Sequence, residues 1–154
     1  KKIKKKKKKY DFIFYVRKHN NKGNQFFSDL IKILSEKNYK ICVIGQKLNI
    51  KKNVTYKGIV SRKKSLRLIA VSKYSLGSSE NLFSFFVLDC LSNNLKIFFN
   101  KNFKIDKKLI KTNLLIPIDF YNLKKSLKSI DNSAKSKNLY NLKFKNLNFN
   151  SFFN

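Results

Sequence analysis

Short apolar runs alternate with helical patterns along this chain, and that alternation restricts its fold more than any other feature. The runs that have the length and the residue types of buried strands are 11–17, 40–45, 53–60, 73–79, 95–99 and 113–118. The helices predicted between and after them are 23–36, 61–70, 82–91 and 119–130. Ser61 and Asp119 precede two of these helices as N-caps. The sequence therefore predicts an α/β fold, with a Rossmann-like parallel sheet and helices on both faces.

The charge of the chain is strongly positive. Its 154 residues carry 36 Lys and Arg against 8 Asp and Glu, which gives a formal net charge of +28. Such a charge favours a polyanion partner, either a nucleic acid or an acidic membrane face. Lysine greatly outnumbers arginine, however, and Asn, Ile, Phe and Tyr are abundant, as expected from an AT-rich genome. A bias of that kind spreads charge without directing it to one partner.

Composition and charge also divide the chain. Residues 1–9 are nearly all lysine and are predicted to form a solvated, basic, disordered leader or linker. Residues 10–130 form the predicted domain, since 42% of the chain is hydrophobic and can build one core. Residues 131–154 are rich in Asn and Lys, and this tail is either a docking helix or disordered.

Several classes of protein are disfavoured. The leader lacks the apolar segment of a signal peptide, and no apolar run approaches the length that spans a bilayer. We therefore expect a cytoplasmic protein that can also associate with an anionic inner membrane face. Cys42 and Cys90 lie in apolar runs, where reduced, buried thiols are expected. Two Cys and one His cannot build a metal site.

The loop that follows the first strand carries the first candidate site. In doubly wound folds, ligands lie beyond the carboxyl ends of the strands. Here that loop runs from Arg17 through His19 to Lys22 and Gly23, where a helix begins. Fixed cations and helix N-terminal amides stabilise a diphosphate leaving group without a metal. Arg17 and Lys22 are either such ligands or ordinary solvated charges, whereas His19 is read as an ordinary loop histidine.

Two stretches of the sequence resemble the nucleotide-sugar-binding, C-terminal domain of GT-B glycosyltransferases of the family 4 type. The first is Y-V-R-K-H-N-N-K-G, with Val16 where that family has glycine. The second is residues 53–99, in which Glu80 and Asp89 stand where the family has two glutamates. Their separation is one residue longer than in the family, and the second acid is shortened to Asp. Asn94 is expected to take the left-handed conformation that a glycine has in the family.

The resemblance implies roles for particular residues. Arg17 and Lys22 would clasp the donor diphosphate, and Glu80 would lie beside the donor sugar. Asp89 would accept hydrogen bonds from the ribose hydroxyls, which a carboxylate can do with both oxygens. The remaining donor-binding residues are Ser79 and the backbone amides of Asn81 and Leu82. Ser78 and Ser79 either bind phosphate or cap the helix, Glu80 can also be a first-turn acid, and Asp89 a helix-surface acid.

The resemblance also implies a function for the whole protein. The chain would be the donor-binding half of a retaining glycosyltransferase that acts on a glycan or a lipid-linked acceptor. It would need an N-terminal acceptor domain that this sequence lacks, and no metal cofactor. The alternative is a basic, non-enzymatic nucleic-acid-binding or ribosome-associated domain. No RNA-binding motif, helix-turn-helix or zinc spacing supports specific nucleic-acid recognition. An RNA surface would exclude acids, whereas a nucleotide-sugar site would gather Glu80 and Asp89 near Arg17 and Lys22.

Overall fold

The computed structural model describes residues 7–17, 24–78, 81–105 and 113–135. In these residues the strands are β1 (Tyr10–Val16), β2 (Ile41–Gly45), β3 (Val54–Tyr56), β4 (Ser72–Leu76), β5 (Lys96–Asn100) and β6 (Leu115–Ile118). The helices are α1 (Asn24–Glu36), α2 (Arg62–Ala70), α3 (Phe85–Ser92) and α4 (Leu123–Lys135). They follow the predicted alternation of strands and helices.

The strands form one sheet in the order β3-β2-β1-β4-β5-β6, and every neighbouring pair is parallel. The chain winds outward from β1 in one direction and then from β4 in the other. Helices α1 and α4 cover one face of the sheet, and α2 and α3 cover the other. The predicted fold, a Rossmann-like parallel sheet with helices on both faces, is confirmed.

The strands are apolar because both faces of the sheet are covered. Alternate residues of β1 enter different layers: Ile13 packs with α2 and α3, whereas Phe12 and Phe14 pack with α1 and α4. Cys42 and Cys90 are free and buried, as predicted. Burial raises the pKa of Cys42 to about 11 and that of Cys90 to about 12, so both thiols are inert near neutral pH.

Polar side chains set the ends of the helices. Ser61 caps α2 as predicted, since its side chain accepts a hydrogen bond from the Lys64 N–H at 3.4 Å. Asn94 has φ +56° after α3, and the Leu95 N–H donates to the Cys90 carbonyl at 3.0 Å. This is a Schellman closure in which Asn replaces the usual Gly, as expected from the sequence.

Two predicted helix starts are wrong. The helix predicted from residue 82 begins at Phe85, because the Asn81 side chain accepts from the Phe83 N–H at 2.9 Å and Ser84 is the N-cap. Asp119 does not cap α4: its carboxylate accepts from the Tyr121 N–H at 3.0 Å. Asn122 caps that helix instead, accepting from the Lys125 N–H at 3.0 Å.

The amino end of β1 differs from the predicted solvated leader. The Lys9 N–H donates to the Val71 carbonyl at 2.7 Å, and the Lys8 ammonium donates to the Ala70 carbonyl at 3.2 Å. Burial lowers the pKa of Lys8. Lys8 and Lys9 are therefore attached to the C-terminal end of α2. None of the helices formed by the described residues has the length and apolar character needed to cross a membrane.

Candidate functional site

The candidate site lies at the carboxyl ends of β1 and β4. These strands are neighbours in the centre of the sheet, and the chain leaves them in opposite directions. The loops that follow them flank the topological switch point at which such sheets bind ligands, called here the β1–β4 crevice. A buried hydrogen bond joins the two strands, donated by the Ser75 hydroxyl to the Ile13 carbonyl at 2.7 Å. This side-chain bond adds to the backbone pairing of β1 and β4.

Arg17 follows β1 directly and its side chain is exposed. Its Nε donates to the Tyr15 hydroxyl at 2.6 Å, and its guanidinium carbon lies 5.1 Å from the centre of the Tyr15 ring. The Tyr15 ring in turn packs on Phe86 of α3, with 5.6 Å between the ring centres. Arg17 is thus held on an aromatic platform beside α3, and it keeps further N–H donors for a ligand.

Gly45 ends β2 beside this platform. A Cβ atom at Gly45 would lie 2.2 Å from the Val16 carbonyl oxygen and 3.3 Å from the Tyr15 ring, and its φ is +90°. The Gly45 N–H donates to the Gly58 carbonyl at 2.9 Å, which ties the loop after β2 to the loop after β3. The absent side chain lets the two loops close against the end of β1.

The loop after β4 forms the other side of the crevice. The Ser78 hydroxyl accepts from the Asn81 N–H at 2.9 Å and lies 2.7 Å from the Asn81 carbonyl oxygen. The Asn81 amide, predicted to bind phosphate, is thus used within its own loop. Leu82 is buried in the layer of α2 and α3. Ser79 and Glu80 lie outside the described residues, so their predicted roles stay predictions.

Asp89 lies on α3 and is not an exposed surface acid. Only 9% of the residue is accessible. Its Oδ1 accepts from Arg62 Nη2 at 2.8 Å and its Oδ2 from Arg62 Nε at 3.2 Å. The hydrogen bond to Asp89, followed by its charge, raises the pKa of the Arg62 guanidinium. The two side chains form a bidentate ion pair that joins α3 to the first residue of α2.

A second ion pair lies at the ends of β5 and β6. Lys101 Nζ is 2.7 Å from Asp119 Oδ2. The hydrogen bond between the two side chains is the main cause of the lowered pKa of Asp119. The Lys101 N–H also donates to the Ile118 carbonyl at 2.8 Å. This pair closes the sheet edge beside the crevice.

A separate open cleft lies between α1 and α4. Its lining residues are Lys37, Lys124, Leu127, Lys128, Asp131 and Asn132. The cleft lies at the C-terminal end of α1, near the amino ends of the strands. Lys37 forms an ion pair with Asp131 across it. Ligands of parallel sheets bind beyond the carboxyl ends, so the crevice at β1 and β4 is the better candidate.

Of the predicted site residues, Asp89 lies on α3 and Arg17 lies beside it. Arg17 reaches that helix through Tyr15 and Phe86, and Asp89 is one turn beyond Phe86. Lys22 and His19 lie outside the described residues, so whether Lys22 joins Arg17 stays a prediction. Within the described ranges, no group of three His, Cys, Asp or Glu side chains lies close enough together to hold a metal ion.

Sequence reasoning missed Arg62 and Tyr15. A usable signal existed for Arg62, because only three of the 36 Lys and Arg residues are arginines: Arg17, Arg62 and Arg67. In a chain that uses lysine nearly everywhere, an arginine marks a position where a planar, bidentate donor matters. Two of the three lie beside the crevice.

Comparison with known proteins supports the fold. No family model matches the sequence, and no curated protein matches it significantly. The crystal structure of the GtfA/B complex matches with a TM-score of 0.56 and 12% identity, over 86% of this chain and 29% of that chain. E. coli heptosyltransferase WaaC with ADP matches with a TM-score of 0.49 and 11% identity, over 80% of this chain and 43% of that one.

The GtfA/B match shows that this chain shares a Rossmann-like fold with part of that protein. This chain spans less than a third of the length of that GtfA/B chain and less than half of WaaC.

Proposed function

We propose that this chain is the donor-binding domain of a retaining glycosyltransferase that moves a hexosyl group from a nucleotide sugar to a glycan or a lipid-linked acceptor. One observation supports the proposal: Arg17 and Ser78 follow β1 and β4, which are neighbouring strands at the switch point of the sheet, and Asp89 lies on the helix after β4. Retention of configuration is proposed from the resemblance to family 4 and from no other ground.

The chemistry asks the site to stabilise a leaving diphosphate. Negative charge grows on that group as the bond to the donor sugar breaks, so fixed cations lower the barrier. Arg17 and Lys22 take this role in the proposal, and Glu80 lies beside the sugar. Ser79 and the amides of Asn81 and Leu82 bind the donor, which requires the Asn81 N–H to exchange Ser78 for phosphate. The proposed chemistry uses no resident metal.

The acceptor is proposed to bind a different part of the protein. This chain spans 29% of the GtfA/B chain that it matches, which leaves length for a further domain in a protein of that kind. In this proposal the chain as given binds donor and transfers sugar poorly or not at all. A cytoplasmic location, with association at an anionic membrane face, belongs to the same proposal.

Calorimetric titration with UDP-, GDP- and ADP-sugars at physiological salt tests the function. We expect one donor class to bind, and Arg17→Ala to weaken it by about tenfold or more, as expected for a lost hydrogen bond to a charged group. Arg67→Ala is the matched control, because Arg67 is an exposed arginine in the last turn of α2, away from the crevice.

Two results would contradict the proposal. One is that none of the three donor classes binds the parent protein; if that protein binds single-stranded RNA tightly and in a salt-dependent manner instead, the nucleic-acid alternative is favoured. The other is that Arg17→Ala binds the donor as tightly as the parent does.

A further inference from the structure

Arg62 is the residue beside the crevice that the proposed function leaves without a role. It is the first residue of α2, directly after the N-cap Ser61. Its side chain is 74% exposed, whereas the Asp89 side chain it contacts is 12% exposed. A buried carboxylate needs a hydrogen-bonding or charged partner, and the partner of Asp89 is Arg62, 27 residues away in sequence.

The geometry of the pair fixes more than a charge. Nε and Nη2 of Arg62 each contact a different oxygen of Asp89, at 3.2 and 2.8 Å. A carboxylate held by one contact still rotates about its last side-chain bond, where rotamer preferences are broad. Two contacts from a rigid, planar fork remove that rotation. Arg62 therefore sets the plane of the Asp89 carboxylate.

Arg62 leaves acceptor capacity on Asp89. An ionised carboxylate has about four lone-pair sites, two on each oxygen. The bidentate contact uses one site on each oxygen, so one site remains on each. Two acceptors held in a fixed plane match two neighbouring hydroxyl donors, whereas a freely rotating carboxylate would have to be ordered when the ligand binds.

We propose that Arg62 is a positioning residue that fixes the Asp89 carboxylate to accept both hydroxyl groups of a ribose, and so makes the site select ribonucleotides over deoxyribonucleotides. This inference rests on the proposed donor-binding function. Arg62 itself contacts Asp89 and not the nucleotide. Its guanidinium also offsets the charge of Asp89, which would otherwise repel a nearby diphosphate.

The test compares nucleoside diphosphates with their 2′-deoxy forms by calorimetry on the full chain. The pairs are UDP and dUDP, GDP and dGDP, and ADP and dADP. The pair that binds the parent protein is then used with the variants. We expect the parent to prefer the ribonucleotide by about tenfold, the size of one lost hydrogen bond to a charged group. Arg62→Ala is expected to reduce that preference to less than about threefold, mainly by weakening ribonucleotide binding.

Further variants separate positioning from a merely structural role. Arg62→Lys keeps the charge but loses the fork, so it should lose part of the preference in a folded protein. Asp89→Asn should abolish the preference, and adding Arg62→Ala to it should change nothing further, because the two side chains act as one unit. Arg67→Ala should leave the preference intact.

Several outcomes would overturn the inference. If Arg62→Ala weakens binding of the ribonucleotide and of the deoxyribonucleotide equally, Arg62 contacts the phosphates directly. If Arg62→Ala and Arg62→Lys lower the melting temperature and keep the tenfold preference, the pair only clamps α2 to α3. If the parent binds the deoxy form equally well while still binding nucleotide, the inference fails and the donor-binding function stands. If no nucleotide binds at all, both fail.

Discussion

Positive backbone φ angles fall on Asn and Gly among the residues that the structure describes. Asn38, Asn53, Asn94 and Asn113 take the left-handed conformation, as do Gly45 and Gly58. Asn tolerates this region because its short polar side chain bonds locally. Gly45 and Gly58 are two of only 4 glycines in the chain. Gly45 also contacts the end of β1, whereas a Cβ at Gly58 would meet nothing within 4 Å.

We expect Gly45→Ala to destabilise the protein much more than Gly58→Ala. Both residues have positive φ, but a Cβ at Gly58 would meet nothing within 4 Å, whereas one at Gly45 would overlap the Val16 carbonyl oxygen. Backbone strain alone should cost about 1 kcal/mol at Gly58. The added overlap should bring the cost at Gly45 to about 3 kcal/mol or more.

Urea unfolding followed by circular dichroism measures both values. If both alanine variants lose the same free energy of unfolding, the positive φ alone causes the loss. The loop after β2 would then move freely away from β1. A much larger loss of stability in Gly45→Ala than in Gly58→Ala would confirm that this loop is pressed against the end of β1.

The helices and strands depend on side chains that connect consecutive elements. Ser84 and Asn122 start α3 and α4, and the Arg62–Asp89 pair joins α2 to α3. The Lys101–Asp119 pair joins the ends of the parallel strands β5 and β6, next to the hydrogen bond from the Lys101 N–H to the Ile118 carbonyl. Such pairs hold the loops that parallel strands need at their carboxyl ends.

The Lys101–Asp119 pair should make stability depend on acid pH. The pKa of Asp119 is lowered in the folded protein, so its stabilising contribution is present above its ordinary pKa of 3.8 and is lost as the pH falls through the folded value. We therefore expect Asp119→Asn to be less stable than the parent at pH 7, with the difference shrinking below pH 3.8. The amide can still accept from the Tyr121 N–H, so the turn is retained.

Urea unfolding of the parent and Asp119→Asn at pH 7 and at acid pH tests this. Lys101→Ala should abolish most of the pH dependence if Lys101 is its main cause. A difference between parent and Asp119→Asn that stays constant down to the lowest pH would show that the loss comes from the turn and not from the charge.

The whole molecule carries far more positive charge than its ion pairs neutralise. Four acids are paired in the described residues; the pairs are Lys73–Asp11, Lys37–Asp131, Arg62–Asp89 and Lys101–Asp119. With 8 acids against 36 basic residues, most lysines have no acid available to them. The excess charge favours long-range attraction to any polyanion and is screened by salt.

We expect removal of residues 1–6 to weaken binding to single-stranded RNA and to anionic vesicles, with a smaller salt dependence, because five lysines are lost. Nucleotide binding should not change. Residues 7–9 are kept in this variant because Lys8 and Lys9 bond to the end of α2. Removal of all nine should also lower the melting temperature.

Titrations with RNA and with nucleotide at several salt concentrations distinguish the two kinds of binding. Loss of nucleotide binding after removal of residues 1–6 would show that the leader, and not the β1–β4 crevice, holds the phosphates. An unchanged salt dependence for RNA would show that the folded domain supplies the polyanion-binding surface.

The order of strands and helices followed from the sequence because it is encoded locally. Each strand is a short apolar run and each helix a stripe of period 3.6, so both are readable without knowledge of the fold. Local competition between side chains and backbone was harder to read. Phe-rich residues 82–91 carry a helical pattern throughout, yet Asn81 and Ser84 bind nearby N–H groups and delay α3 to Phe85.

Periodicity predicted that Arg17 follows the first strand directly, whereas Asp89 was singled out by the resemblance to family 4. The sequence did not predict that Arg62 is the partner of Asp89. Arg62 reaches Asp89 only because β3-β2-β1-β4 order sets α2 against α3 on one face of the sheet. Likewise, Arg17 lies on Tyr15 because Phe86 of α3 supports that ring from across the layer. Contacts between distant segments depend on how the layers pack, and no local pattern in the chain records them.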